Sequence, residues 1–198
     1  MKFSQFLLEM PSRFTYEDDE SVIELNDDEE NEYRYEKIKN EKLISKLNGY
    51  DLVTHNDGDY TFYDILDRTN KRIMYRCRTV KGYEINNIKF TVSGIVWKSK
   101  SLKFDAVDIF YDVILEKSNN AVYSSGSHSS AGEQYWDKII KEAFNKNYKV
   151  GIINLHIGTN KQKTLTEVDS FSDYKKLKDD IYGNDKSDTV IGIYKDKK

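Results

Sequence analysis

Between residues 60 and 97 three strand-like runs stand almost back to back, and directly after them the apolar spacing switches from alternation to every third or fourth residue. That switch constrains the fold strongly, because strands followed by strand and helix in turn build a sheet with helices packed on it. Tyr60 to Leu66 and Lys71 to Thr79 are the first two runs; Asp67, Arg68, Thr69 and Asn70 between them carry turn chemistry and predict a hairpin. In the third run, Ile88, Phe90, Val92 and Val96 share one face while Lys89, Thr91 and Ser93 share the other. Gly94 interrupts it, as a glycine does at a bulge or where another backbone comes close.

Ala106, Val107, Phe110, Val113 and Ile114 then predict a helix with Asp105 as its N-cap. Ala121 to Tyr123 read as a short strand. Ser130 and Glu133 have capping-box spacing ahead of Trp136, Ile139, Ile140, Ala143 and Phe144, which predicts a second helix. Lys149 to Leu155 and Val190 to Tyr194 read as strands, with a polar helix over 173–182 between them. Upstream, Ile38, Leu43, Ile44 and Leu47 follow a helical stripe that Gly49 can terminate, giving the first helix of the folded domain. The predicted class is α/β of the α+β kind: a mixed, mostly antiparallel central sheet flanked by helices.

The N-terminal stretch reads differently. The spacing of Phe3, Phe6 and Leu7 predicts a short amphipathic helix closed by Pro11, the only proline. From Glu17 to Glu32 ten of sixteen residues are acidic and none is basic, so mutual repulsion predicts a mobile acidic loop. The expected division is residues 1–35 as an N-terminal segment and 36–198 as a single domain. A lone Cys77 leaves no partner for an intramolecular disulfide and points to a reducing compartment. No stretch approaches the roughly 18 apolar residues that span a bilayer, so no membrane association is expected. The net charge of −3 argues against a nucleic-acid partner. His55, His128 and His156 lack metal-ligand spacing, so no metal is expected, and Cys77 between Arg76 and Arg78 reads as a small buried strand residue. Residues 124–132, rich in serine and glycine, lack the G-x-S-x-G spacing of a nucleophile turn and read as a connection.

Helix, three antiparallel strands, helix, strand, helix, strand, strand is an order that resembles the GNAT N-acetyltransferase fold, over roughly residues 36–160. Gly94 lies where a bulge in that family splays the sheet at the cofactor cleft, and residues 96–117 look like its pyrophosphate-binding strand, loop and helix. Residues 121–144 look like its next strand and helix and resemble GNAT-like proteins of tailed phages. Leu7, Leu8 and Glu9 also resemble the cleavage site of capsid-targeting segments in phage internal head proteins.

The resemblance implies acetyl-CoA as cofactor, held by Lys98, Ser99, Lys100, Ser101 and Lys103, and acetyl transfer to an amine. The family's glycine-rich phosphate loop is absent, since residues 98–105 read KSKSLKFD. Trp136 stands where the family places its acidic tyrosine, which leaves Tyr135 as the candidate general acid and His128 as the candidate base. The alternative implied by these departures is a noncatalytic phage accessory or internal virion protein that binds a host or virion protein. The corresponding location is the cytoplasm of the bacterial host or the virion head.

Overall fold

The computed structural model describes residues 24–125, 130–156, 159–182 and 188–195. A 3-10 turn at Glu24–Asn26 precedes α1 (Asp28–Ile38) and five strands: β1 (Lys42–Leu47), β2 (Tyr50–Asp57), β3 (Tyr60–Asp67), β4 (Arg72–Ile85) and β5 (Ile88–Lys98). Next come α2 (Ala106–Ile109), continued by a π-helix at Phe110–Leu115, then β6 (Ala121–Ser124), α3 (Ser130–Asn145) and β7 (Lys149–Asn154). β8 (Thr164–Val168), α4 (Phe171–Tyr182) and β9 (Thr189–Tyr194) complete it. The chain is α+β, with a mixed, mostly antiparallel sheet in the order β1-β2-β3-β4-β5-β6-β9-β7-β8. It parts into two compact units, one within residues 24–80 and 93–106 and the other within 81–92 and 107–195. β5 changes unit between Val92 and Ser93, one residue before Gly94.

The first unit is a meander whose turns are written locally. Asn48 and Gly49 take φ of 44° and 90°, the left-handed pair of a two-residue hairpin, and Leu47 pairs directly with Tyr50. The stripe from Ile38 to Leu47 is therefore not one helix: Ile38 ends α1, and Leu43, Ile44 and Leu47 belong to strand β1. Short apolar runs satisfy both periods, and the Asn-Gly turn decides between them by offering a β2 partner. At the next but one turn, the Asp67 carboxylate accepts hydrogen bonds from the Thr69 and Asn70 amides, both at 3.0 Å, as the turn chemistry predicts.

α1 corrects the reading of the acidic stretch, which is helical from Asp28 onward. The Asp27 carboxylate caps the helix by accepting from Glu29 N (3.0 Å) and Glu30 N (2.9 Å). Asp28, Glu29 and Glu30 then lie in the first turn, where the helix dipole favours negative charge and offsets their repulsion. The helix seats Tyr35 and Ile38 on a core with Val53, Leu66, Ile73 and Trp97. Asn31 pins it there: its Nδ2 donates to Leu25 O (3.0 Å) and Ile73 O (3.1 Å), and its Oδ1 accepts from Ile73 N (2.8 Å), all buried.

In the second unit β9 lies between β6 and β7, antiparallel to both. Gly192 of β9 faces Gly151, and a methyl group on Gly192 would sit 2.8 Å from Ile153 Cδ1 and 3.2 Å from Phe90 Cε1, so any side chain there displaces those two. α3 presents Trp136, Ile139, Ile140 and Ala143 to the core, as its spacing predicts. The predicted helix after Asp105 differs in winding. Over Phe110–Leu115 it widens to π, and every residue of that stretch except Asp112 is buried, including Tyr111 and Leu115, which fall outside the α-helical stripe. Tyr111 Oη donates to the Ile139 carbonyl at 2.6 Å.

Asn31→Ala removes three hydrogen bonds and leaves the buried Ile73 amide and carbonyl without their partner, so urea unfolding should show a loss of about 3 kcal/mol.

Candidate functional site

Within the first unit, the start of α1, the start of β4 and the end of β5 border an open cavity of about 420 Å³. Leu25, Ile73, Met74 and Trp97 supply its apolar wall. Its charged lining is Asp28, Arg72, Lys98 and Lys100, three cations to one carboxylate. The wall is fixed by the Asn31 contacts and by Trp97 Nε1, which donates to Asn26 Oδ1 at 3.1 Å. A lining with three cationic residues beside an apolar wall favours an anionic ligand by charge.

Of the residues assigned to the cofactor, Lys98, Ser99 and Lys100 line this cavity. Ser101 and Lys103 are not among its lining residues: the Ser101 hydroxyl is 2.8 Å from that of Ser99, and Lys103 is exposed. The loop's amides are turned inward. Ser99 N donates to Met74 O (2.9 Å), Ser101 N to Ser99 Oγ (3.3 Å) and Leu102 N to Ser99 O (3.1 Å). A cradle of free backbone amides, the device by which a glycine-rich loop holds pyrophosphate, is therefore not built at these three positions. Side-chain cations are what the loop offers, and they suit a phosphate ligand by charge rather than by backbone shape.

Tyr135 lies half-buried on α3, in the other unit, and its neighbour Trp136 is a core residue packed edge-on against Phe110 with ring centroids 5.7 Å apart. His128 and the Leu7 to Glu9 motif lie outside the described residues. Among the described residues no three His, Cys, Asp or Glu side chains gather as a metal ion would need, and no helix is long and apolar enough to cross a membrane.

Sequence reasoning missed two charged members of the cavity, Arg72 and Asp28. Neither is marked out from its charged neighbours along the chain, and the two meet because α1 is pinned beside β4. It also missed a buried polar cluster on β2, β3 and β4. Arg76 donates to the fully buried Asp64 carboxylate through Nε (2.7 Å) and Nη2 (3.2 Å), and its guanidinium lies 5.1 Å from the Phe62 ring centre. His55 stacks flat on the same ring at 4.8 Å, with Nδ1 3.4 Å from Asp64 Oδ2. Cys77, as expected, is fully buried, and burial pushes its thiol up to about 12, which leaves no thiolate nucleophile near neutrality.

With the geometry in hand, comparison against protein-family models finds no match, and a search of curated proteins finds none either.

Arg76→Ala strands the Asp64 carboxylate in the interior and should cost about 3–5 kcal/mol in chemical denaturation. His55 titrates below its ordinary range: burial is the main cause, and the Arg76 charge adds to it against the pull of Asp64. The unfolded chain therefore takes up a proton near pH ~6.5 that the folded chain refuses. Stability should fall as pH drops through that value and level off once folded His55 is protonated. Unfolding curves of wild type and His55→Asn between neutral and acid pH test this, and equal pH slopes would refute it.

Proposed function

We propose that this chain is a divergent GNAT-like protein of the phage type that binds acetyl-CoA, or a ligand sharing its phosphates, at the cavity formed by Arg72, Lys98, Ser99 and Lys100. The observation that carries this reading is the convergence of three cations, two of them from the loop that the resemblance assigns to pyrophosphate, on one cavity with an apolar wall. The element order supports it as well. β3, β4 and β5, then α2, β6, α3 and β7, follow the sequence of strands and helices on which the resemblance rests, whereas β1 and β2 stand where the resemblance places its first helix. When bound, acetyl-CoA supplies the activated acetyl group, and transfer to an amine is the reaction the reading implies. Arg72, Lys98 and Lys100 hold the phosphates through charge, and the Ser99 hydroxyl supplies a hydrogen bond.

In the enzymatic form of this proposal Tyr135 acts as general acid and His128 as base. A second reading, a noncatalytic accessory or internal virion protein that binds a host or virion protein, is favoured by one observation. Trp136, at the register of the family's acidic tyrosine, is 2% exposed and serves the core. Either form places the protein in the bacterial host's cytoplasm or in the virion head.

Calorimetric titration of the whole chain with acetyl-CoA and free coenzyme A tests the proposal. Micromolar binding is expected, weakened about tenfold or more for each of Lys98→Ala and Lys100→Ala, as the loss of a charge-assisted contact predicts. No binding at millimolar cofactor would overturn it in favour of the partner-binding reading. For the enzymatic form, Tyr135→Phe should lower turnover about 100-fold without changing cofactor affinity.

A further inference from the structure

We propose that Asp28 is a built-in competitor for the anion cavity: at rest its carboxylate occupies Arg72, and a polyanionic ligand binds by displacing it. The inference rests on reading the cavity as a phosphate site. Arg72 Nη2 pairs with Asp28 Oδ1, while for Lys98 and Lys100, the other two cations of the lining, no ion pair is formed among the described residues. A guanidinium presents one planar fork, which carboxylate and phosphate oxygens engage in the same way, so the two anions contend for the same donors.

The position of Asp28 is built rather than incidental. The Asp27 cap fixes where α1 begins, so Asp28 falls in the first turn. One turn later, on the same side of the helix, Asn31 is bonded to both backbone groups of Ile73, the residue after Arg72. These contacts hold the Asp28 carboxylate against the start of β4.

The Asp28 side chain is 85% exposed and that of Arg72 38%, so the pair is wet and breaks at small cost. It therefore tunes affinity and does not lock the cavity. Apparent affinity is lowered by the fraction of molecules in which Arg72 is already engaged. A monovalent anion gains at Arg72 little more than Asp28 already supplies. A polyanion that reaches Lys98 and Lys100 at the same time recovers the difference, so the carboxylate selects for ligands with several charges.

The test titrates inorganic pyrophosphate into the full-length wild type, Asp28→Asn, Arg72→Ala and the double variant, with Asp28→Ser as a second neutral replacement. Asp28→Asn and Asp28→Ser should tighten pyrophosphate about threefold to fivefold, the range set by a solvent-exposed ion pair. The gain should vanish in the Arg72→Ala background. Unchanged or weaker binding by both neutral variants, in a protein that does bind pyrophosphate, overturns the competitor role and leaves the phosphate site standing. An equal gain without Arg72 overturns it too, because the effect is then general repulsion. If neither wild type nor the neutral variants bind pyrophosphate while remaining folded by circular dichroism, the phosphate site itself falls and the competitor with it.

Discussion

The carboxamide of Asn31 is the small contact on which the rest of the first unit depends. It closes a donor and acceptor pair with the backbone of Ile73 and reaches back to the carbonyl of Leu25, so one side chain ties α1, its preceding turn and the first residues of β4 together. Buried backbone groups at the start of a strand have to be satisfied by something other than water, and here a helix provides the partner. Everything that forms the cavity follows from that attachment. Leu25 and Asn26 come to face Trp97, and Asp28 comes to face Arg72. An apolar residue in place of Asn31 would bury as much surface but could not set the register of helix against strand.

The loop after β5 shows what a segment without glycine can offer an anion. Without residues that reach left-handed conformations cheaply, KSKSLKFD folds onto itself, and three of its amides are consumed by Met74, by the Ser99 hydroxyl and by the Ser99 carbonyl. What faces the cavity instead is ammonium and hydroxyl. Recognition by such groups is less exacting in shape than an amide cradle and more sensitive to salt, because most of it is charge. A carboxylate in the same lining then has more influence than it would beside a backbone cradle.

Much of the fold was legible locally. The Asp67 turn, the alternation of β5 from Ile88 to Val92 and the core face of α3 each obey a rule that spans a few residues and appear where it predicts, whereas beyond Val92 the alternation fails, with Ser93 and Trp97 buried. The first strand was misread because Leu43, Ile44 and Leu47 fit a helical period over a length too short to exclude it; the Asn-Gly turn beside them was the stronger signal. The acidic stretch was misjudged for a related reason. Repulsion among carboxylates is unfavourable in an extended chain, but at a helix N-terminus the same charges face exposed amides and become favourable. Arg76 and Asp64 gave no hint of burial, since an alternating strand with charged residues reads as one face in water; only the paired register of β3 and β4 places the two together inside.

For the candidate site the division is similar. The sequence by itself determined that a lysine-bearing loop without glycine follows β5 and that α3 carries tryptophan beside a tyrosine. Those are properties of neighbours along the chain. Which cations share a cavity, which carboxylate neutralises one of them and which of the loop's polar groups are already spent were decided by the tertiary structure. Charges far apart in sequence interact only at the distances that packing imposes, and no local pattern encodes those distances.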